Sequence, residues 1–332
     1  MKAVEITKPN EMRVVDRDRP SPRENEVLVR IHACGICGTD IHIFRGEYLG
    51  GYPVIPGHEF AGIVEEVGSE ITRFRKGDRV AVEPNISCNN CVNCLNNRQN
   101  FCLNWLGVGV TRPGGMAQFA CVPENAVFSI GELAFEQGAF VEPLSCVIHG
   151  IERARLRIAD RLLILGAGPI GILLLKVAKL RGCVEITAVD RNETRLEVAK
   201  QSGAVSTTPS LDTLIEDSYD TVIDATGALP VMAKSIDYAR PGGTVLLFGV
   251  PPAGKDMCIE PFKLFRKGLT VLSSYTSLRN SYQAVDLLRS GLIDVSPLIS
   301  HRMPLAEMQR GIELIEGGKE NVMKVLMLPN GS

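Results

Sequence analysis

Residues 161 to 190 narrow the choice of fold more than any other stretch of this chain. Arg161-Leu-Leu-Ile-Leu165 reads as a fully apolar strand, glycines stand at 166, 168 and 171, Ile170 to Arg181 reads as an apolar helix, and Glu185-Ile-Thr-Ala-Val-Asp190 reads as a second strand. Strand, glycine turn, helix and strand make a βαβ unit, whose host is a parallel sheet. Strand candidates at Thr221 to Asp224, Thr244 to Phe248 and Leu269 to Leu272, separated by helical stretches such as Leu229 to Tyr238, extend that sheet.

A G-x-G-x-x-G pattern alone often marks nothing more than a tight turn, and its surroundings give it content here. Gly166-Ala-Gly168-Pro169-Ile170-Gly171 follows a strand and opens a helix whose first amides can hold a pyrophosphate. The glycines allow the turn, the close approach of the phosphates and the packing of helix on strand. Asp190 stands 19 residues after Gly171, at the end of the next strand, where it can accept hydrogen bonds from the adenosine ribose and repel a 2′-phosphate. NAD is therefore expected over NADP. Arg191 and Arg195 keep NADP open as an alternative, since either can stack on adenine or pair with a phosphate.

Before residue 140 the texture changes to short β-branched runs, Val27 to Ile31, Gly62 to Val67 and Asp78 to Val82, punctuated by Gly and Pro. This is the pattern of a β-rich, barrel-like domain. Within it Cys88, Cys91, Cys94 and Cys102 fall in the spacing C-x2-C-x2-C-x7-C, which lets four sulfurs close around one structural zinc. The 332 residues suffice for two domains, and the ten cysteines come without an apolar leader, so metal ligation explains the clustered ones better than disulfides do. Cys34, Cys121, Cys146, Cys183 and Cys258 have apolar neighbours and read as buried thiols. The formal charge of -2 offers no attraction to phosphate backbones or anionic lipid, and the cysteine loop holds only Arg98 as a basic residue. Neither nucleic acid nor membrane is an expected partner. With no apolar run long enough to span a bilayer, the expectation is a cytoplasmic chain that acts on a small molecule.

A second group of ligand types stands in glycine-flanked segments, with Cys37 in Cys37-Gly-Thr39-Asp40-Ile-His42, and His58 and Glu59 after Gly57. Taken singly, these residues read as a core thiol, a turn histidine and a solvated acid. Beside a nucleotide fold they read as three ligands of a zinc whose fourth position stays open for a substrate oxygen.

These segments, together with Gly57 to Gly68, Lys76-Gly-Asp78-Arg-Val80, Val141-Glu142-Pro-Leu-Ser145, Asp224-Ala-Thr226-Gly227 and Pro241-Gly-Gly243, resemble the zinc-dependent medium-chain dehydrogenase/reductase superfamily over nearly the whole chain. The resemblance is closest to its polyol, or sorbitol-type, branch. It implies an α/β protein with three parts. A GroES-like β-barrel catalytic domain spans residues 1–140 and carries the structural zinc lobe at about 84–104. A Rossmann-fold, doubly wound parallel-sheet cofactor domain spans 141–272. A C-terminal segment, 273–332, partly completes the Rossmann domain and returns to the catalytic one.

The same resemblance implies roles. Cys37, His58 and Glu59 would hold the catalytic zinc, and Glu142 would stand at its fourth corner, on the metal or on its water. Thr39 and His42 match the relay that carries the substrate proton outward, and Thr226 would join the cofactor contacts. The implied reaction is reversible, NAD-linked oxidation of a secondary hydroxyl of a polyol to a ketose, in a homodimer or homotetramer. Trp105 and Tyr275 are candidates for the substrate wall. Two other substrates stay open, an L-threonine 3-dehydrogenase-like one and a polyol phosphate, the latter met by Arg45, Arg112 or Lys263. From another class, a non-catalytic, crystallin-like nucleotide binder would predict lost ligands, and none of Cys37, Thr39, His42, His58 or Glu59 is lost.

Overall fold

The computed structural model describes residues 1–318 and 321–331, so the C-terminal segment's end at Ser332 lies outside the described residues. The chain divides into two compact units, Met1–Ser145 with Ser277–Ser332, and Cys146–Thr276. The backbone therefore leaves the first unit after Ser145, inside the helix Val141–Ala154, and re-enters it at Ser277. The family resemblance puts these boundaries at 140/141 and 272/273.

The second unit is built on a six-stranded, all-parallel sheet in the order Ser206–Thr208, Glu185–Val189, Arg161–Leu165, Tyr219–Asp224, Ala239–Leu247, Thr270–Ser273. Numbered along the chain this order is 3-2-1-4-5-6, that of a doubly wound dinucleotide-binding sheet. Leu162 to Leu165 are at most 1 % exposed, as a central strand covered on both faces requires. The strand Ser206–Thr208 has no apolar pattern and escaped the sequence reading; it forms as an edge, through backbone pairing with Thr187 to Val189. Helix Pro169–Leu180 starts with Gly168 as its N-cap and Pro at its first position, where the missing N–H costs nothing.

The first unit holds a seven-stranded sheet around the long strand Glu26–Gly35, which pairs antiparallel with Glu59–Val67, Phe119–Pro123 and Lys324–Met327. The last of these comes from the C-terminus and pairs in parallel with Ile299–Met303. A tight turn, Leu305–Glu307, precedes the helix Met308–Gly317. One apolar core links Val27, Val29 and Ile31 to Val80, Val122, Met308, Ile312 and Val325, so the C-terminal segment is part of the barrel interior. Of the five thiols expected to be buried, only Cys34 and Cys183 are. Cys121 and Cys146 are half-buried, and Cys258 is exposed because it lies in an irregular stretch, where apolar neighbours in sequence do not decide burial. Among the described residues no helix is long and apolar enough to cross a membrane.

Candidate metal centres and nucleotide site

Helix Gly38–Arg45 has Cys37 as its N-cap, and its third residue, Asp40, closes that end by accepting a hydrogen bond from the Cys37 amide at 2.9 Å. The other oxygen of this fully buried carboxylate accepts from the Gly57 amide at 3.0 Å. Gly57 has a φ of +92°, and a β-carbon there would meet Cys34 and Met116 at 2.8 Å, so the turn admits only glycine. Asp40 thus ties the segment carrying Cys37 to the one carrying His58 and Glu59. One ligand atom of each of these three residues lies within 4.8 Å of the others.

The set fits zinc. Its sulfur, nitrogen and oxygen donors are those zinc takes, and the buried Nδ1 of His58 satisfies no hydrogen bond, which is rare for a buried polar atom. Asp40 lies 3.4 Å from that nitrogen, poorly aligned for a hydrogen bond but close enough to act on its charge. Burial alone would lower the His58 pKa, yet Asp40 and Cys37 together drive it well above the usual histidine value. The local field therefore favours a positive charge.

Lys324, which the sequence reading did not single out, completes this surrounding. Its Nζ donates to the two carboxylate oxygens of Glu59 at 2.9 and 2.6 Å and to the Ile36 carbonyl at 3.2 Å. Burial would lower its pKa, but Glu59, Cys37 and Glu142 raise it on balance. Glu142 is buried in the first turn of helix Val141–Ala154, and its field reaches Lys324, though its carboxylate is not among the three converging ligand groups. Thr39 and His42 lie three residues apart on helix Gly38–Arg45, hence on one face. His42 is half-buried, with Nδ1 2.9 Å from Glu47.

In the cysteine lobe the sulfurs of Cys91 and Cys94, and of Cys102 and Cys88, are 3.5 Å apart, and those of Cys88 and Cys94 4.0 Å. Zinc–sulfur bonds of about 2.3 Å set tetrahedral sulfurs roughly 3.8 Å apart, so the spacing fits a closed structural site. Backbone amides from Cys88, Leu103 and Asn104 donate to these sulfurs. Hydrogen bonding led by the Asn90 amide pulls the Cys88 thiol down to about 6, while burial first, then its neighbouring cysteines, push Cys94 up to about 12. Trp105 is half-buried, packs against Ile6, Ile43, Val54 and Val110, and donates to Asn85 at 3.0 Å. Tyr275 lies in the second unit, half-buried.

In the second unit Gly166 has a φ of +99°, and a β-carbon on Gly171 would stand 1.8 Å from the Gly166 carbonyl, so both are required by the fold itself. Gly168 differs, since a β-carbon there would meet nothing nearer than Arg195 at 4.0 Å. The space beside Gly168, at the N-terminus of helix Pro169–Leu180, is the cradle expected of a pyrophosphate site. Pro169 and Ile170 form the first turn of that helix. Asp190 accepts from the Ala167 amide and from the Asn192 amide, both at 2.9 Å, which fixes it against the glycine loop. Arg195 lies 3.8 Å from Asp190 and Arg191 is exposed. Thr226 bonds Asp224 at 2.6 Å, and its methyl flanks Gly166. The cations considered for a phosphate are paired: Arg45 with Glu316 at 2.6 Å, Arg112 with Glu26 at 2.5 Å, and Lys263 with Asp237.

Residues 23–132 match the family described as Alcohol dehydrogenase GroES-like domain, and residues 169–290 match Zinc-binding dehydrogenase. The chain is 39 % identical over 289 residues to D-altritol 5-dehydrogenase of Agrobacterium fabrum, covering 85 % of this chain and 86 % of that one. It is 31 % identical to D-arabinitol dehydrogenase 1 of Uromyces fabae, over 99 % and 97 % of the two chains. Identity to L-threonine 3-dehydrogenase of Yersinia pestis is 32 %, over 96 % and 97 %. Among solved structures, a Sinorhizobium meliloti 1021 protein described as a zinc-binding dehydrogenase and bound to NADP superposes with a TM-score of 0.94, at 34 % identity and 99 % coverage of both chains. Galactitol-1-phosphate dehydrogenase from Escherichia coli superposes with a TM-score of 0.90, at 27 % identity, covering 99 % of this chain and 100 % of that one.

Proposed function

Because this chain belongs to the zinc-dependent medium-chain dehydrogenase/reductase superfamily and is an oxidoreductase of it, we propose that it oxidises a secondary hydroxyl of a polyol to the ketose, with NAD+ as hydride acceptor. The observation that carries this reading is the convergence of Cys37, His58 and Glu59, with Glu142 buried nearby, in a chain 39 % identical to a D-altritol dehydrogenase. A zinc on Cys37, His58 and Glu59 would supply Lewis acidity towards the substrate hydroxyl, and a dinucleotide along Gly166 to Gly171 would supply the ring that takes the hydride.

The chain's own residues set the conditions for that chemistry. Asp40 holds the two ligand segments together and favours positive charge at His58. Lys324 offsets the buried charge of Glu59, and each carboxylate oxygen keeps a second lone pair for a metal. The Thr39 hydroxyl can accept the substrate proton as it gives up its own. His42 is suited to receive it, because a Glu47 carboxylate at Nδ1 keeps that nitrogen protonated and leaves Nε2 as the acceptor. Asp190 supports NAD by taking the ribose hydroxyls and disfavouring a 2′-phosphate, with Arg191 and Arg195 as the groups that would serve NADP.

A phosphorylated polyol is the weaker reading, since Arg45, Arg112 and Lys263 are each engaged by a carboxylate. A homo-oligomer is proposed as the working form, because the strand Thr270–Ser273 ends the parallel sheet with Val271 36 % exposed and its outer backbone edge unpaired within the sheet. The cytoplasm is proposed as its compartment. The deciding experiment is the initial rate of NADH formation by zinc-loaded protein across tetritols, pentitols, hexitols, their phosphates and L-threonine. A strong rate with one free polyol is the expected result; a rate with threonine alone replaces the polyol reading, and silence beside tight NADH binding rejects it.

A further inference from the structure

Glu83 follows the strand Arg79–Val82 and is 8 % exposed, yet no cation neutralises it among its described partners. It is held instead by neutral donors. The hydroxyls of Ser277 and Ser281 each donate to its Oε2 at 2.7 Å, and that of Ser145 lies 3.4 Å from the same oxygen. Its Oε1 accepts from the amide and the side chain of Asn85, at 3.2 and 2.6 Å. A buried carboxylate served only by hydroxyls and amides is costly to keep, so its placement asks for a reason.

The reason lies in where the serines are. Ser145 is the last residue of the first unit before the backbone leaves it, and Ser277 is the first on its return. At those two crossings the backbone links the strand-rich unit that carries Cys37, His58 and Glu59 to the unit that carries the glycine fingerprint. Ser281 opens helix Ser281–Arg289, immediately after the second crossing. The Ser145 hydroxyl has a single proton, and its shorter contact, 2.7 Å, is to the Glu142 carbonyl, so the same serine couples Glu83 to the turn that bears Glu142.

We propose that Glu83 is a positioning residue: its carboxylate ties the chain at Ser277 and Ser281, with Ser145 against it, to the end of one barrel strand, and so holds the turn that bears Glu142 in place for turnover. The proposal rests on the dehydrogenase reading above. Glu83 touches neither a metal ligand nor the fingerprint directly, and it acts through Ser145, Ser277 and Ser281.

Glu83→Gln keeps the shape and the Asn85 contact but removes the charge that orders the Ser277 and Ser281 hydroxyls, and Ser277→Ala/Ser281→Ala removes these donors and leaves the carboxylate. For both variants in the zinc-loaded full chain, amide hydrogen exchange should accelerate at least tenfold in residues 141–146 and 277–284 and stay unchanged in 27–35 and 161–175. Zinc content and NADH affinity should remain within twofold of wild type, while kcat falls at least tenfold and KM for the polyol changes less than threefold. Unchanged exchange at the two crossings overturns the proposal, as does a kcat within twofold of wild type, or a loss of kcat matched by an equal loss of folded protein. If the wild type turns over no polyol, the substrate reading has failed, and the exchange pattern alone decides for or against Glu83.

Discussion

At Glu59 both carboxylate oxygens face the ammonium of Lys324, inside a site where the two side chains are 1 % and 6 % exposed. Replacing one member of a buried pair strands the other's charge, at a cost of about 3 to 5 kcal/mol. Lys324→Met should therefore destabilise the metal-free protein by about that much, and less once zinc is bound, because the metal then shares the carboxylate's charge. The sign of the pH dependence follows from the raised Lys324 pKa. A cation bound more tightly to its proton in the folded state contributes its full stabilisation below the ordinary lysine value of 10.5 and loses it as the pH climbs through the raised value. Urea denaturation of the metal-free wild type and variant should thus show a gap that is constant at neutral pH and closes in strong alkali; a gap that widens there contradicts the assignment. The grouping of Cys37, His58 and Glu59 was legible in the sequence because their residue types and glycine flanks are those of candidate ligands. Lys324 was not, since it meets Glu59 across 265 positions and sits in an ordinary strand pattern. Asp40 was visible as part of a motif, but its bridging role appears only once helix and turn are folded together.

Among elements, the strand–glycine–helix unit of residues 161–190 was the most readable, because apolar runs and glycine spacing follow directly from the geometry they serve. The edge strand Ser206–Thr208 shows the limit: a polar tripeptide has no periodicity to read, and its partner strand imposes its conformation. The glycines of the fingerprint divide by cause, which yields a test. Gly168 has φ -67° and ψ -177°, a backbone any residue adopts, and open space where a β-carbon would stand. Gly168→Ala should leave the thermal midpoint unchanged and weaken NADH binding at least tenfold, about 1.4 kcal/mol, since the methyl intrudes only on the phosphates. Gly171→Ala instead drives a methyl into the Gly166 carbonyl, so it should lower stability even without nucleotide. Equal behaviour of the two in calorimetry and NADH titration would remove the pyrophosphate from Gly168.

For the whole molecule, the metal set lies entirely in one unit and the glycine fingerprint entirely in the other. His58→Ala should consequently abolish turnover while NADH affinity, read by fluorescence titration, stays within about twofold of wild type, a difference under roughly 0.5 kcal/mol. Loss of NADH binding on the same scale as activity would contradict this separation. The sequence suggested two domains from the change of texture near residue 140, but the return of the chain at Ser277 follows from packing that no local pattern encodes. Met308, Ile312 and Val325 join the core begun by Val27, Val29 and Ile31.

The strand Lys324–Met327 pairs with Cys34 and Gly35, near the start of the chain, and it brings the counter-ion of Glu59 with it. Translation is directional, and at roughly 5–20 residues per second the codon for Lys324 is read about 13 to 53 s after that for Glu59. The ribosome has by then released the whole nucleotide-binding unit, which contains all of its own sheet. Every nascent chain thus passes through a period in which the parallel sheet is tethered to a barrel whose sheet still lacks Lys324–Met327, the Ile299–Met303 strand that pairs on it, and the ammonium that faces Glu59. A message truncated shortly before codon 324 would encode that intermediate as its end product.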